Sequence, residues 1–258
     1  MCIRDRFYRV NQALTQFSNL DLSSFYLVMA KDRLYISGPN EERRRTCQTV
    51  LYHIMEQLAV LMAPIVPHMS EDLWQNIPYK KSTKSVFEKG WVSQKFPAHE
   101  VEKWTKIRLL LNDVNMCIEQ ARAQKEVGAS QECRIVLHTE DSEMKSVLRA
   151  LQGDDQFYSK YGTTDGMDDL RFIFGTSQVQ VVDSLDQLKE IAPSYNIIDK
   201  KSESGMSVGV AKALGKKCDR CWYYSDSVGH DHDHDDICLR CAEVIKKEGL
   251  VDKILKNV

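Results

Sequence analysis

The stretch Lys216–Cys241 reads KKCDRCWYYSDSVGHDHDHDDICLRC and contains two cysteine pairs. Cys218 and Cys221 form one C-x2-C pair, Cys238 and Cys241 form the other, and sixteen residues separate them. This spacing is typical of a four-cysteine zinc site, because each C-x2-C folds as a tight knuckle that directs two sulfurs at one point. Four thiolates complete the tetrahedral coordination of zinc and leave no position for water. We therefore predict one structural Zn2+ and no catalytic residue here. Two disulfides or four unrelated cysteines are the alternatives.

The remaining composition favours a reducing environment and an ordinary folded core. The chain has 258 residues, of which 43% are hydrophobic, so it can hold two or three domains. Four further cysteines, Cys2, Cys47, Cys117 and Cys133, occur singly, which does not suggest a disulfide scaffold. We expect the protein to be located in the cytoplasm, the mitochondrial matrix or the plastid stroma. No apolar run approaches 18 residues, so no membrane is expected.

Hydrophobic periodicity predicts helices in the first half of the chain and a mixed module after it. Helices are expected at about 7–17, 41–63, 68–75 and 104–128, arranged as an antiparallel bundle. Strands are expected at 133–138, 170–174, 178–182 and 205–214, with a helix at 143–151. An amphipathic helix should follow the last cysteine.

The predicted fold class is therefore multidomain. An α-helical bundle at residues 1–127 is followed by a small α/β domain with a connector at 128–207. A four-cysteine zinc ribbon with a C-terminal helix occupies residues 208–258. The charge also changes between these parts of the chain. Residues 1–130 are basic, with 18 Lys and Arg against 14 Asp and Glu, whereas residues 131–211 are acidic, with 8 against 14. A polyanion would therefore meet local basic patches, since the net charge is only -2.

Motifs far from the cysteines resemble class I aminoacyl-tRNA synthetases. Leu20–Leu27 reads LDLSSFYL and Lys31–Tyr35 reads KDRLY. Arg43–Trp74, RRRTCQTVLYHIMEQLAVLMAPIVPHMSEDLW, is similar to the helix and turn of the anticodon-binding domain in that class. Ala211–Ile245 is similar to the C-terminal zinc module of bacterial-type isoleucyl-tRNA synthetases. The resemblance covers roughly residues 7–250.

This resemblance implies a C-terminal fragment of such an enzyme, which joins isoleucine to its tRNA with ATP. The HIGH motif, the adenylate-binding fold and the editing domain of the family have no counterpart in the sequence. We therefore expect the fragment to be catalytically inactive alone, with ATP used only by the missing part. The implied partners are the anticodon stem-loop of isoleucine tRNA and the missing N-terminal domains in cis. We expect a monomer.

Candidate tRNA contacts are basic residues near aromatic ones, since Lys and Arg bind phosphates and aromatic rings stack on unpaired bases. The candidates beside the first knuckle are Lys216, Lys217, Arg220 and Trp222. The candidates at a helix start are Arg43, Arg44 and Arg45, where positive charge opposes the helix dipole. Each candidate also has a purely structural interpretation. The lysines could simply make the surface soluble, Trp222 could pack under the knuckle, and the arginines could form a solvated helix face.

Histidines alternate with aspartates in HDHDHDD, residues 230–236. His230, His232 and His234 form either a second metal site or an exposed hairpin tip. We favour the hairpin tip, because four thiolates outcompete imidazole for a closed zinc site.

Two other functions fit part of the sequence. A DNA glycosylase of the formamidopyrimidine type has a zinc ribbon with nearly the same cysteine spacing, but it uses an N-terminal proline, whereas the first proline here is Pro39. A free-standing tRNA-binding protein with no synthetase parent is the second alternative.

Overall fold

The computed structural model describes residues 6–79, 82–91, 101–152, 170–193, 195–197 and 202–248. The chain divides into two compact units, one of Pro39–Glu100 and one of Met1–Gly38 together with Val101–Val258. The boundaries of the three predicted domains stay a prediction. No helix in the described ranges combines the length and the apolar character that a membrane crossing requires.

The unit Pro39–Glu100 is built on two helices. They are α3, Glu42–Met62, and α4, Pro67–Asn76, which confirms the helices predicted at 41–63 and 68–75. Pro67 begins α4 because its fixed φ and missing N–H suit the first helical position. Trp74 is buried between the two helices and donates its indole N–H to the carbonyl of Thr83 at 3.2 Å.

The second unit begins with a continuous helical segment. It contains α1, Phe7–Gln16, and α2, Leu27–Lys31, and π-helical turns follow each of them at Phe17–Tyr26 and Asp32–Ile36. The helix predicted from Phe7 is confirmed. π-Helical turns are uncommon, and they change which side chains share a face because each turn holds more residues. The KDRLY motif lies at the second of these turns.

Helix α5, Val101–Ala123, lies against the sheet and provides much of the core of this unit. It confirms the helix predicted at about 104–128, although it ends at Ala123. Its buried face repeats at helical spacing, as the apolar pattern predicts. The residues of that face are Ile107, Leu110, Val114, Cys117, Ile118 and Ala121.

The sheet has four strands in the order β2-β1-β4-β3. The strands are β1 Cys133–His138, β2 Gln178–Val181, β3 Tyr195–Ile197 and β4 Ser207–Lys212. β1 pairs parallel with β2 and antiparallel with β4, which also pairs antiparallel with β3. Helix α6, Ser142–Gln152, packs against β2, and helix α8, Leu185–Ile191, packs against β1 and β4. The strands predicted at 133–138, 178–182 and 205–214 and the helix at 143–151 are confirmed.

The strand predicted at Leu170–Phe174 is wrong, because these residues form the short helix α7. All five side chains are buried, including Arg171, and a short run that is fully buried has no alternation to separate strand from helix. Gly175 has φ +65°, and the N–H of Thr176 donates to the carbonyl of Arg171 at 2.9 Å. This pattern is a glycine-terminated helix end.

The cysteine-rich part contains a two-stranded hairpin and a helix. β5, Lys216–Lys217, pairs with β6, Tyr224–Ser225, and α9, Leu239–Glu248, confirms the predicted C-terminal helix as far as the described residues extend. The hairpin therefore encloses the first knuckle, whereas we predicted it between the two knuckles with residues 230–236 at its tip. In the described ranges, 230–236 form an irregular loop, since their charged sequence has no apolar alternation for a strand. The described chain is thus rich in helices, with a small sheet and a C-terminal cysteine cluster.

Candidate metal centre

The four cysteines converge on one point. Their sulfurs all lie within 4.8 Å of one another, and all four side chains are buried. The sulfurs of Cys221 and Cys238 are 3.8 Å apart. A tetrahedron with Zn–S bonds of about 2.3 Å has edges of about 3.8 Å, so the cluster has the size of a four-sulfur zinc site. The backbone N–H of Cys238 also donates to the sulfur of Cys218 at 3.3 Å, a contact typical of a thiolate.

The first knuckle has a tight turn that the hairpin supports. The N–H of Cys218 donates to the carbonyl of Tyr223 at 2.9 Å, and the N–H of Trp222 donates to the carbonyl of Cys218 at 2.8 Å. Trp222 takes φ +67° to close this turn. Gly215 takes φ +81°, and a Cβ there would lie 2.4 Å from the backbone carbon of Ser225. The close pairing of β5 with β6 therefore requires a glycine at this position.

The proximity of the thiols changes their acidity. The pKa of Cys218 is lowered because the thiols of Cys221, Cys238 and Cys241 donate hydrogen bonds to its thiolate. The pKa of Cys221 is raised, first by its hydrogen bond to Cys218 and then by the other thiols and by burial. Four sulfurs this close cannot all be ionised without a cation between them, so the cluster suits a metal that keeps thiolates deprotonated.

Each knuckle also carries an arginine that contacts the helical segment Asp32–Ile36. Arg240 donates from both terminal nitrogens to the two carboxylate oxygens of Asp32, each at 2.7 Å. Burial disfavours the charged guanidinium, but the charge and hydrogen bonds of Asp32 more than compensate, so the pKa of Arg240 lies well above its usual value. Arg220 donates to the backbone carbonyl of Ile36 at 2.8 Å.

The hairpin brings together the four candidate residues beside the first knuckle. Lys216 and Lys217 are exposed on β5, and Trp222 is 63% exposed rather than packed beneath the knuckle. The Lys217 ammonium lies 5.9 Å from the centre of the Trp222 ring. Arg220 is partly buried and makes a structural contact, as described above. Their role in tRNA binding stays a prediction.

The other three candidates lie in the unit Pro39–Glu100, in the first turns of α3. The guanidinium of Arg45 donates to the side-chain oxygens of Asn40 at 3.1 Å and Gln48 at 3.2 Å. Arg43 and Arg44 are partly buried. Their role in tRNA binding also stays a prediction.

The histidine tract does not assemble a second metal site in the structure. His230 and His232 are exposed, and the Lys246 ammonium binds Asp231 at 2.6 Å and Asp233 at 3.0 Å. Within the described ranges, the four cysteines are the only group of His, Cys, Asp and Glu arranged to hold a metal.

A groove of about 560 Å3 lies beside the first knuckle, and sequence reasoning missed it. Its walls include polar and aromatic residues from α2, the KDRLY turn and α5, which approach Arg220 and Trp222. Among them are Lys31, Tyr35, Asn115 and Arg122. The KDRLY motif was the available signal in the sequence, since it contains Lys31 and Tyr35. Only the tertiary structure shows that the motif lies beside the cysteines.

Comparison with known protein families identifies the first part of the chain. Residues 5–137, about half of the chain, match the anticodon-binding domain of tRNA ligases. The chain belongs to this family. Residues 215–244 match a zinc finger that is found in FPG and IleRS. The four cysteines, the hairpin and the start of α9 all lie in this second match.

Curated relatives of this member of the anticodon-binding family are isoleucine–tRNA ligases. The protein from Cyanothece sp. is 43% identical over 248 residues, which is 94% of this chain and 25% of the relative. The proteins from Nostoc sp. and Crocosphaera subtropica are 40% and 43% identical over 240 residues, which is 92% of this chain and 24% of each relative. The chain thus spans about a quarter of the length of these relatives and corresponds to their C-terminal part.

The two matches together bear on the DNA-glycosylase alternative. The zinc finger by itself occurs in both named protein types, so it does not exclude a DNA glycosylase. The anticodon-binding match and the isoleucine–tRNA ligase relatives support the synthetase resemblance instead.

Proposed function

We propose that this chain is the part of an isoleucine–tRNA ligase that binds the anticodon stem-loop of isoleucine tRNA. One observation carries the proposal: the same chain contains an anticodon-binding domain match at residues 5–137 and a four-cysteine module. That module exposes Lys216, Lys217 and Trp222. Its similarity to isoleucine–tRNA ligases over more than nine-tenths of its length supports the same proposal.

The proposed role follows from the chemistry of unpaired RNA. Exposed lysines neutralise phosphates, and an exposed indole provides a flat surface on which an unstacked base can lie. A rigid hairpin holds these groups in place before RNA arrives, so less conformational entropy is lost on binding. Zn2+ at the four cysteines would support the hairpin and supply no catalytic step, because four thiolates leave it no open coordination position.

The proposal extends to the type of fold, the partner domains and the compartment. The helices form the class I type of anticodon-binding bundle, and the cysteine module is a zinc ribbon. The chain acts as a monomer together with catalytic and editing domains in cis, and those domains use ATP to attach isoleucine. The protein works in a reducing compartment, the cytoplasm, the mitochondrial matrix or the plastid stroma. Support comes from the sequence, in which Cys2, Cys47, Cys117 and Cys133 occur singly and do not suggest a disulfide scaffold.

Fluorescence anisotropy with the zinc-loaded full chain tests the proposal. We expect isoleucine tRNA to bind about tenfold more tightly than an unrelated tRNA, which corresponds to about 1.4 kcal/mol, and both affinities to fall steeply with salt. Equal affinity for the two tRNAs at physiological salt would contradict the proposed specificity. We expect no isoleucine-dependent ATP–pyrophosphate exchange by the chain alone. Exchange above background would contradict the proposal that separate domains carry out catalysis.

A further inference from the structure

The two knuckles carry arginines at equivalent positions. The first knuckle reads Cys-Asp-Arg-Cys and the second reads Cys-Leu-Arg-Cys, so Arg220 and Arg240 each directly precede the second cysteine of their pair. Both side chains contact the same turn of helix. Arg220 donates to the carbonyl of Ile36 at 2.8 Å, and Arg240 forms its two 2.7 Å hydrogen bonds with Asp32.

Metal ligation would determine where these arginines lie. Each is bonded through one peptide to a buried cysteine, either Cys221 or Cys241, whose sulfur belongs to the four-sulfur cluster. A bound metal holds those sulfurs at fixed separations. Without it, the two knuckles have few other groups to hold them together, because apolar residues in this small module are few. Loss of metal should therefore displace both guanidinium groups from the helix.

The contacted turn is also a wall of the groove. Asp32, Tyr35 and Ile36 line one side of it, and Arg220 and Trp222 line another. The position of the knuckle relative to Asp32–Ile36 therefore determines the width of the groove. The Asp32 carboxylate is only 3% exposed and the Arg240 side chain 14%, so separating them would leave a buried charge without its partner.

We propose that Arg220 and Arg240 couple metal occupancy at the four cysteines to the structure of the Asp32–Ile36 turn, and thereby to the shape of the groove. They act as positioning residues. With metal bound, both arginines contact the turn and the groove is formed. Without metal, the contacts are lost and the turn opens. The inference rests on a metal at the cysteines and does not require that the groove binds RNA.

Hydrogen exchange on the full chain, with and without zinc, tests this coupling without any substitution. We expect chelation to raise the exchange rates of the Asp32–Ser37 amides by about tenfold, since loss of charged hydrogen bonds of this kind typically changes local opening by that amount or more. Readdition of Zn2+ should restore protection. The amides of β1 should remain protected in both states. Unchanged exchange at Asp32–Ser37 after complete zinc removal would overturn the proposal.

A double variant, Arg220→Gln with Arg240→Gln, separates the arginine contacts from the metal. With zinc bound, its Asp32–Ser37 amides should exchange as fast as those of the zinc-free wild type. Tetrahedral Co2+–thiolate absorption would report that the cluster itself still forms. Arg149→Gln is the matched control, because Arg149 is an exposed arginine of the same unit that pairs with Asp183. Protection of the turn in the double variant equal to that of the control would overturn the assigned role.

Failure of this test and failure of the proposed function are distinguishable. Coupling is measured by exchange of the protein alone, whereas function is measured by tRNA affinity. Metal-dependent exchange with no tRNA preference would support the coupling and contradict the proposed specificity.

Discussion

Asp32 and Arg240 form a bidentate ion pair, with both N···O distances 2.7 Å, although 208 residues separate them in sequence. Asp32 belongs to the KDRLY turn and Arg240 lies between two cysteines of the four-cysteine cluster. The guanidinium also lies 5.4 Å from the ring centre of Phe172. One side chain thus connects the N-terminal helical segment, the cysteine module and the short helix α7.

The first prediction concerns the stability of this pair. Asp32→Asn should lower the free energy of unfolding by about 3–5 kcal/mol, because it leaves the largely buried Arg240 charge without its partner. Urea denaturation with saturating zinc measures the change. In a double-mutant cycle with Arg240→Gln, the second substitution should cost much less once the first is present. Asp183→Asn, which alters an exposed ion pair, is the control and should change stability little. Additive costs for Asp32 and Arg240 would contradict the pairing.

The second prediction concerns zinc. Cys238→Ser should reduce zinc from one ion per chain to none and unfold the cysteine module, since binding of structural zinc supplies folding free energy. Metal analysis of freshly purified, reduced protein measures this. Cys47→Ser replaces another buried cysteine, outside the cluster, and should retain one zinc. Zinc retained by Cys238→Ser, or absent from the wild type, would contradict the site.

The third prediction concerns base stacking. Trp222→Ala should weaken tRNA binding by about 1–3 kcal/mol, which is the usual contribution of one base stacked on an aromatic ring. Stability should change little, because the side chain is 63% exposed. Trp91 is 64% exposed and lies outside the cysteine module, so Trp91→Ala is a closely matched control for binding. An equal loss of affinity in the two variants, measured by anisotropy, would count against a specific role of Trp222.

The fourth prediction concerns phosphate contacts. Lys216→Ala and Lys217→Ala should each reduce the slope of log K against log salt concentration by about 1, because each lysine that neutralises a phosphate releases counterions. The loss should be similar for all tRNAs. Lys189→Ala, an exposed lysine on α8, should leave the slope unchanged. A slope unaffected by both hairpin substitutions would place the phosphate contacts elsewhere.

The fifth prediction concerns the turn before β5. Gly215→Ala should destabilise the cysteine module by about 1–3 kcal/mol or more, since it combines strain at positive φ with a clash against the backbone of Ser225. Gly205→Ala has a similar φ but nothing within 4 Å of the added Cβ, so it should cost only about 1 kcal/mol. Thermal unfolding compares the two. Equal costs would show that the close approach to Ser225 has no effect.

Local patterns predicted most of the secondary structure. Helices α3, α4 and α5 and strand β1 were predicted because their apolar residues repeat over many positions. Leu170–Phe174 was predicted wrongly as a strand because five buried residues contain no period. Gly175, directly after this run, is compatible with the end of a helix as well as with a turn between strands, and the structure shows the helix end.

The sequence by itself determined the four-cysteine cluster, because its cysteines occur as two short pairs whose spacing already constrains the geometry. It also carried the resemblance to isoleucyl-tRNA synthetases, since that resemblance depends on the order of motifs along the chain. Only the tertiary structure decided that Arg220 and Arg240 contact one turn of helix, and that Lys31 and Tyr35 form a groove beside Trp222. Contacts between residues about two hundred positions apart leave no periodic trace in a single sequence, because they depend on how separate elements pack.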